Sequence, residues 1–356
     1  MAAWQRRGGL EQYRDKLIAG MLTRGYTPEF ATQIYQQILG FGSYGFPEAH
    51  SASFALLAYA SSWLRCHHHP AFVAGLLNSW PMGFYAPAQL VFDARRNGVT
   101  FRPVDVQHSN WDCTLERGPE GQPEVRLGLR LVGGLPEAQG LAIEQQRLNG
   151  AFNSVDELAH RTQLPKPSIA LLAQAAALDS IAGHRRQAHW RAIGIERLPG
   201  ALAGASARED ALPLPAPDEG EEIIADYRSL GLTLKRHPLA LLRRKLETLK
   251  VLRAIDLRQI ASGRKVRVAG IVTHRQRPET ASGVIFMSLE DETGITNLIV
   301  WPSVQAEQRQ PVFSGHLLVV QGELQSEMNV IHVIAEKVRD YSHWLGKLSI
   351  ASRDFR

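Results

Sequence analysis

Residues 283–301, GVIFMSLEDETGITNLIVW, place two apolar-rich runs around Glu292-Thr293-Gly294. This is the pattern of a β-hairpin, Val284 to Asp291 turning into Ile295 to Trp301. Working outward, Lys265 to Thr273 supplies a strand before the hairpin, and His316 to Gln321 and Val330 to Ala335 supply two after it, with a crossing segment around Val304 to Gln310. Five short strands and one crossing segment predict a five-stranded barrel of the OB type. Ile285, Met287 and Leu289 form the consistently apolar set and are placed inside, so strand alternation turns Phe286 outward. A phenyl ring outside a barrel suits base stacking, which needs an exposed π face but no particular base; capping by a loop or another domain is the alternative. Trp301 shares a face with Asn297 by parity, but Pro302 and the strand end point to packing.

The same stretch resembles the nucleic-acid-binding OB domains that read tRNA anticodons. That resemblance puts Phe286 where a base stacks and Asn297 where a polar base contact is made, with Arg275 and Arg277 in the first long loop. These four are the expected single-strand-binding residues.

Upstream of the barrel the period is helical. Tyr227 to Leu249 reads as a bridge broken by Gly231 and Pro238, and Pro199 to Glu222, rich in Ala, Pro, Gly and acids, as a linker. Leu127, Leu129 and Leu131 lead into Val132-Gly133-Gly134-Leu135, and Pro136 and Glu137 suit the first turn of a helix. This resembles a helix-hairpin-helix, in which the N–H groups at Gly133 and Gly134 would approach duplex phosphates without reading sequence; a generic helix-turn-helix connection looks similar. A second pair follows, opened by a capping box at Ser154 to Glu157. Its turn, Ala175 to Asp179, has no glycine and is expected to pack rather than bind, although His184, Arg185 and Arg186 could still meet phosphate at its edge.

Residues 41–72, FGSYGFPEAHSASFALLAYASSWLRCHHHPAF, form an aromatic turn that cannot continue a helix and a helix after it, with Ser51 and Ser53 as N-cap candidates. Such a turn and helix start, with Tyr44, His50 and Ser51 around it, can receive phosphate oxygens; a capped core helix is the bland alternative. This segment resembles the fingers of bacterial C-family DNA polymerases, the polymerase III alpha subunits. Phe46-Pro47-Glu48 and NSWPMGFY at 78–85 resemble the error-prone, damage-inducible paralogue, the ImuC type. The resemblance implies template-directed nucleotide addition in translesion synthesis, with Tyr44, His50 and Ser51 bordering the incoming triphosphate.

Nothing in the sequence resembles the catalytic palm. The chain is therefore expected to be a C-terminal fragment without catalytic residues or bound metal, Mg2+ being needed only by the intact enzyme. The expected organisation is multidomain α+β: late fingers (1–112), tandem helix-hairpin-helix region (113–195), linker (196–225), helical bridge (226–260), OB domain (261–342) and tail (343–356). Implied partners are primer-template duplex, single-stranded template and accessory mutasome proteins, including an inactive Y-family-like polymerase homologue that supplies the sliding-clamp contact. In the linker, Asp210 to Pro215 keeps only the leucines of the replicative clamp peptide. The alternative reading is an interaction scaffold with its OB face covered by a protein.

Composition agrees with a multidomain globular chain. Its 356 residues are 44% hydrophobic and 21% charged, with a net charge of +5 that leans towards a polyanionic partner. No apolar run has membrane length, and a cytoplasmic location is expected. Cys66 and Cys113 are far apart, which suggests neither disulfide nor zinc. His67, His68 and His69 are consecutive and cannot share one metal from a helix. Asp105, Asp112 and Glu116 read as surface acids on loop-like sequence with no strand framework.

Overall fold

A computed structural model describes residues 13–42, 48–82, 85–119, 121–195, 212–327, 330–346, 348 and 353–355, with the backbone alone at 39–42, 48–50, 280 and 353–355. They form two compact units divided between Phe72 and Val73. Among the described residues no helix is long and apolar enough to cross a membrane.

The first unit holds α1 (Arg14–Thr23), α2 (Pro28–Gly42) and α3 (Glu48–His67). Gly25 at φ +86° and Pro28 break α1 from α2, as their chemistry requires. Ala31 and Tyr35 are buried, and the Arg14 guanidinium lies 5.9 Å from the Tyr35 ring. Because α3 begins at Glu48, Ser51 and Ser53 stand inside the helix rather than at its N-cap. Trp63 packs against His67 and His68, with ring centroids 4.9 and 5.2 Å away, so the histidine run turns around an indole.

Helix α4 (His69–Asn78) leads into the second unit, and α5 (Pro87–Arg96) follows. A small sheet comes next: β1 (Phe101–Arg102) runs parallel to β3 (Pro123–Arg126), with β2 (Thr114–Arg117) antiparallel on its other side. Helices α6 (Glu137–Arg147), α7 (Val155–Thr162), α8 (Lys166–Gln174), α9 (Asp179–Ala182) and α10 (Arg185–Gly194) complete the helical domain. Ser154 caps α7 as expected, its Oγ accepting from Glu157 N at 3.1 Å, while Glu157 reaches back to Asn153 N.

One apolar core runs from Val73 to Ile195 and takes in Leu232. The expected boundary at 112 therefore cuts through a continuous core, since Val104 and Val106 pack with Leu127 and Leu129. Of the acids near that boundary, Asp105 and Asp112 lie outside strands as expected, and Glu116 does not. Glu116 sits on β2, where Arg126 grips it at 2.7 and 2.8 Å and holds its carboxyl below the usual range. Asp112 pairs with Arg130 at 2.6 Å, and Asp105 accepts from Gln107 N and Ser180 Oγ. Each acid has its own partner, so they form no shared metal-binding cluster.

Helix α11 (Glu219–Leu230) begins inside the expected linker, capped by Asp218, and ends at Gly231, φ +71°. Arg185 is buried and donates to Glu222 at 2.9 Å and to Asp226; Arg186 holds Pro215 O and Glu221; His184 lies 3.0 Å from Leu214 O. At the basic edge of the second hairpin Arg185 thus clamps α11 from a buried position, while Arg186 is tied to Glu221 at the surface. Helix α12 (Pro238–Thr248) packs Leu239 and Leu246 against Ala269, Ile271, Leu317 and Val319 on the outside of the barrel.

The barrel has five strands: β4 (Lys265–Gln276), β5 (Ile285–Asp291), β6 (Gly294–Val300), β7 (Leu317–Glu327) and β8 (Val330–Asp340). They run in the order β5-β6-β8-β7-β4 and close through β4–β5, with β6 parallel to β8. The short helices α13 (Pro302–Glu307) and α14 (Arg309–Ser314) fill the expected crossing segment, and the backbone of β9 (Arg353–Phe355) runs beside the end of β4. This is an OB fold. Gly270 permits the crossing of β4 and β5: a Cβ there would stand 2.7 Å from Leu289 Cβ.

Candidate nucleic-acid interface

Strand alternation builds an outward face on β5, β6 and β8. Ile285, Met287 and Leu289 are 3%, 2% and 1% exposed, and Phe286, between them, is 38% exposed. Register sets Ser288 opposite Asn297 and Asn297 opposite His332, so Phe286, Ser288, Asn297 and His332 share one surface. The Ser288 hydroxyl donates to Asn297 Oδ1 at 3.2 Å, which turns the Asn297 amide nitrogen to another acceptor. His332 Nδ1 is buried with no partner among the described residues.

The far wall comes from β4. A register shift between Val272 and His274 sets His274 opposite Ser288 and Gln276 opposite Phe286. Together these side chains line a shallow groove of about 360 Å³. Among the described residues no Lys or Arg lines it; its walls are imidazole, amide, hydroxyl and one phenyl ring.

That same bulge corrects Arg275. It lies in β4, not in a loop, and alternation after the bulge sets it opposite the inward Met287. It is 7% exposed, and its guanidinium donates to Val312 O at 3.0 Å and to Gly315 O, at the C-terminal turn of α14. This arginine ties a helix end to the barrel and is not available to a strand of DNA. Arg277, two residues on, is exposed in the loop that leads to β5. Trp301 is 49% exposed at the N-cap of α13, so packing does not cover it as expected.

The first hairpin is also partly committed. Gly133 N–H donates to Ser229 O at 2.7 Å, in the last turn of α11, so it is not offered to a phosphate as expected. Gly134, at φ +80°, makes the turn that only a residue without Cβ adopts freely. In the second hairpin Ala176 takes φ +57°, while Ala175, Ala177 and Leu178 are buried and Val106 N donates to Ala177 O at 2.9 Å. This hairpin packs, as its sequence predicts. Of the triphosphate set, Ser51 is an exposed residue within α3, whereas Tyr44 and the side chain of His50 lie outside the described residues.

Sequence reasoning missed four polar members of the groove: His274, Gln276, Ser288 and His332. Ser288 shares the parity of Phe286, whereas the other three cannot be read without the bulge and the strand register.

Residues 98–188 match the family described as helix-hairpin-helix motif, and 266–341 the family described as OB-fold nucleic acid binding domain. Along its whole length the chain is 50% identical to proteins named error-prone DNA polymerase from Pseudomonas paraeruginosa and Alkalilimnicola ehrlichii, and it spans 35% of the length of each. Among solved structures, asparaginyl-tRNA synthetase from Pyrococcus horikoshii overlays 22% of this chain and 20% of its own, with 26% identity and a TM-score of 0.20. A replication protein A heterotrimer bound to single-stranded DNA overlays 25% and 69%, with 20% identity and a TM-score of 0.19. Overlaps of that size say nothing about what this chain binds.

Proposed function

We propose that this chain, a homologue over its whole length of part of the error-prone DNA polymerases, is a DNA-holding portion of such an enzyme, acting in translesion synthesis. The observation that carries this reading is Phe286, a ring 38% exposed on the outer face of the OB barrel beside Asn297. Stacking on such a ring contributes about 1 to 3 kcal/mol per base with little regard to its identity. The OB face takes single-stranded template, and the helix-hairpin-helix region around Gly134 lies against the duplex.

Nucleotide transfer itself is assigned to a palm outside this chain, where two Mg2+ ions would stabilise both oxygens of the displacement. The chain alone is then catalytically inactive. Accessory mutasome proteins, among them an inactive Y-family-like polymerase homologue bringing the sliding clamp, are the proposed protein partners. Tyr44, His50 and Ser51 are the proposed neighbours of the incoming triphosphate.

The test is fluorescence anisotropy of labelled single-stranded and primed DNA across a salt series. Phe286→Ala is expected to weaken single-strand binding by about 1 to 3 kcal/mol. One feature favours a second reading: the groove lacks basic side chains among the described residues, so a protein partner would meet little charge there. Failure of either DNA to bind, or an unchanged affinity for Phe286→Ala, would give the scaffold reading the lead.

A further inference from the structure

The outer face of the barrel is ordered in rows. On β6 the inward Thr296, Leu298 and Val300 alternate with Ile295, Asn297 and Ile299, and on β8 the inward Ile331 and Val333 alternate with Val330, His332 and Ile334. Register joins Phe286, Ile299 and Ile334 into one apolar row and Ser288, Asn297 and His332 into a polar one. Two residues earlier on β6 and β8 stand Ile295 and Val330, 48% and 49% exposed, so a second apolar row flanks the polar one. Its place on β5 is taken by Glu290, which is 6% exposed and faces His237 at the start of α12, 3.3 Å away. Helix α12 thus closes that corner and leaves Ile295 and Val330 open.

Successive rows are two strand residues apart, about 6.8 Å. That is twice the rise of about 3.4 Å between bases stacked in a strand, so two neighbouring bases seated on the two apolar rows are pulled off each other and meet side chains instead. The polar row between them offers hydrogen-bonding groups to base edges. Charge is arranged around the face and not in it. Arg277 lies beside Gly283 before β5 and Arg96 beside Gly294 beyond it, 3.7 and 3.3 Å from where a Cβ would stand, whereas Glu323 and Glu327 border β8 from β7. A sugar-phosphate backbone therefore follows β5 from one arginine towards the other, with its bases turned towards β8. We propose that this face holds two consecutive bases of a single strand, splayed apart: one on Phe286, Ile299 and Ile334, the next on Ile295 and Val330. This rests on the reading of the face as a single-strand site.

The experiment measures the affinity of the full chain for short labelled strands of one length, abasic except for zero, one, two adjacent or three adjacent thymines. Each of the first two thymines should tighten binding by about fivefold or more, the equivalent of about 1 kcal/mol per stacked base, and the third should add no such step. Ile295→Ser with Val330→Ser, both at exposed positions, should remove the second step and keep the first. Phe286→Ala should leave a single step, that of the remaining row. Thermal melts identify the variants that keep the fold, and Ile295→Thr with Val330→Thr, which suit a strand, stand in if the serines do not. The parental series needs no variant. A second thymine that adds nothing, or a third that adds as much as the second, overturns the two-base seat, while the first step upholds the single-strand site. Equal affinity for every strand, with or without thymine, overturns both readings and gives the face to a protein partner.

Discussion

Arg275 Nε donates to the carbonyl oxygen of Val312 at 3.0 Å, so the side chain that sequence resemblance assigns to DNA instead closes the end of α14. Its removal strands two helix-end carbonyls in a buried place, and the loss of hydrogen bonds from a charged donor costs about 2 to 4 kcal/mol. Arg275→Ala should lower the free energy of unfolding measured by urea titration by that margin, and the midpoint accordingly. Arg277→Ala, in an exposed position, should leave the midpoint unchanged and, if the loop meets phosphate, reduce the salt slope of DNA binding by about one. A loss of DNA affinity for Arg275→Ala without loss of stability would contradict the assignment.

The two hairpins make opposite demands at corresponding turns. Gly134 stands at φ +80° and Ala176 at φ +57°, the second with a Cβ in the left-handed region. Gly134→Ala should therefore destabilise by about 1 kcal/mol, whereas Ala176→Gly should be neutral or stabilising by up to about 1 kcal/mol, relief of strain being offset by a freer unfolded chain. Chemical denaturation of the two single variants checks the signs, and two losses of equal size would show that the left-handed turn at 176 is not strained.

Arg185 is 7% exposed and joins α10 to α11 through Glu222 and Asp226. Replacing it with methionine keeps the bulk but leaves buried Asp226 without its cation and Glu222 with only the partly exposed Lys235, 3.5 Å away, a loss of about 3 to 5 kcal/mol when one partner of a buried pair is removed. Arg185→Met together with Glu222→Gln and Asp226→Asn should recover much of it. A triple variant no better than the single one would show that packing, not charge, is what the arginine supplies.

How much of this was legible in the sequence follows from which rule each residue obeys. The barrel could be read because Ile285, Met287 and Leu289 keep a strict period of two against Phe286, and burial forces that period. The fate of Arg275 could not be read, because one extra residue at Thr273 reverses parity, and a bulge leaves no mark in an alternation already blurred by Gly270 and Thr273. The helical hairpins were visible from Gly133-Gly134 and from the capping serine at 154. The partner of the Gly133 amide was hidden, since Ser229 is 96 positions away in sequence, and so was the clamp of Arg185 on α11. The contact of Gln89 on α5 with His274 on β4, Nε2 to Nδ1 at 3.4 Å, was equally silent, because no local pattern encodes it.

Asp179 opens α9 half-buried, with Oδ1 lacking a partner among the described residues. Desolvation raises its pKa to about 6, against the pull of the nearby Arg185 guanidinium. An acid whose folded pKa exceeds its unfolded value holds its proton more tightly when folded, so it costs nothing below about pH 4, and the cost grows as pH rises towards 6 and is complete above it. Asp179→Asn should accordingly stabilise the chain near neutral pH, by about 1 kcal/mol once solvent screening is allowed for, and change little near pH 4. Equal gains at both pH values would point to some cause other than the buried charge.

The two cysteines should behave as different reagents. Cys66 lies exposed on α3, whereas Cys113 is buried and its Sγ accepts from Gly128 N at 3.3 Å. Burial pushes the Cys113 thiol up to about 11, the Gly128 bond only partly opposing it, so at mildly alkaline pH the group is a neutral thiol and a poor nucleophile. Because its folded pKa lies above the unfolded value near 8.5, folding should weaken progressively as pH rises from there towards 11. A disulfide reagent added to the native chain should titrate one thiol rapidly, absent from Cys66→Ser, and the second only when denaturant is present. Rapid reaction of both thiols in the native state would mean that the segment carrying Cys113, just before β2, opens on its own, and that the core from Val73 to Ile195 is less cooperative than its continuous packing implies.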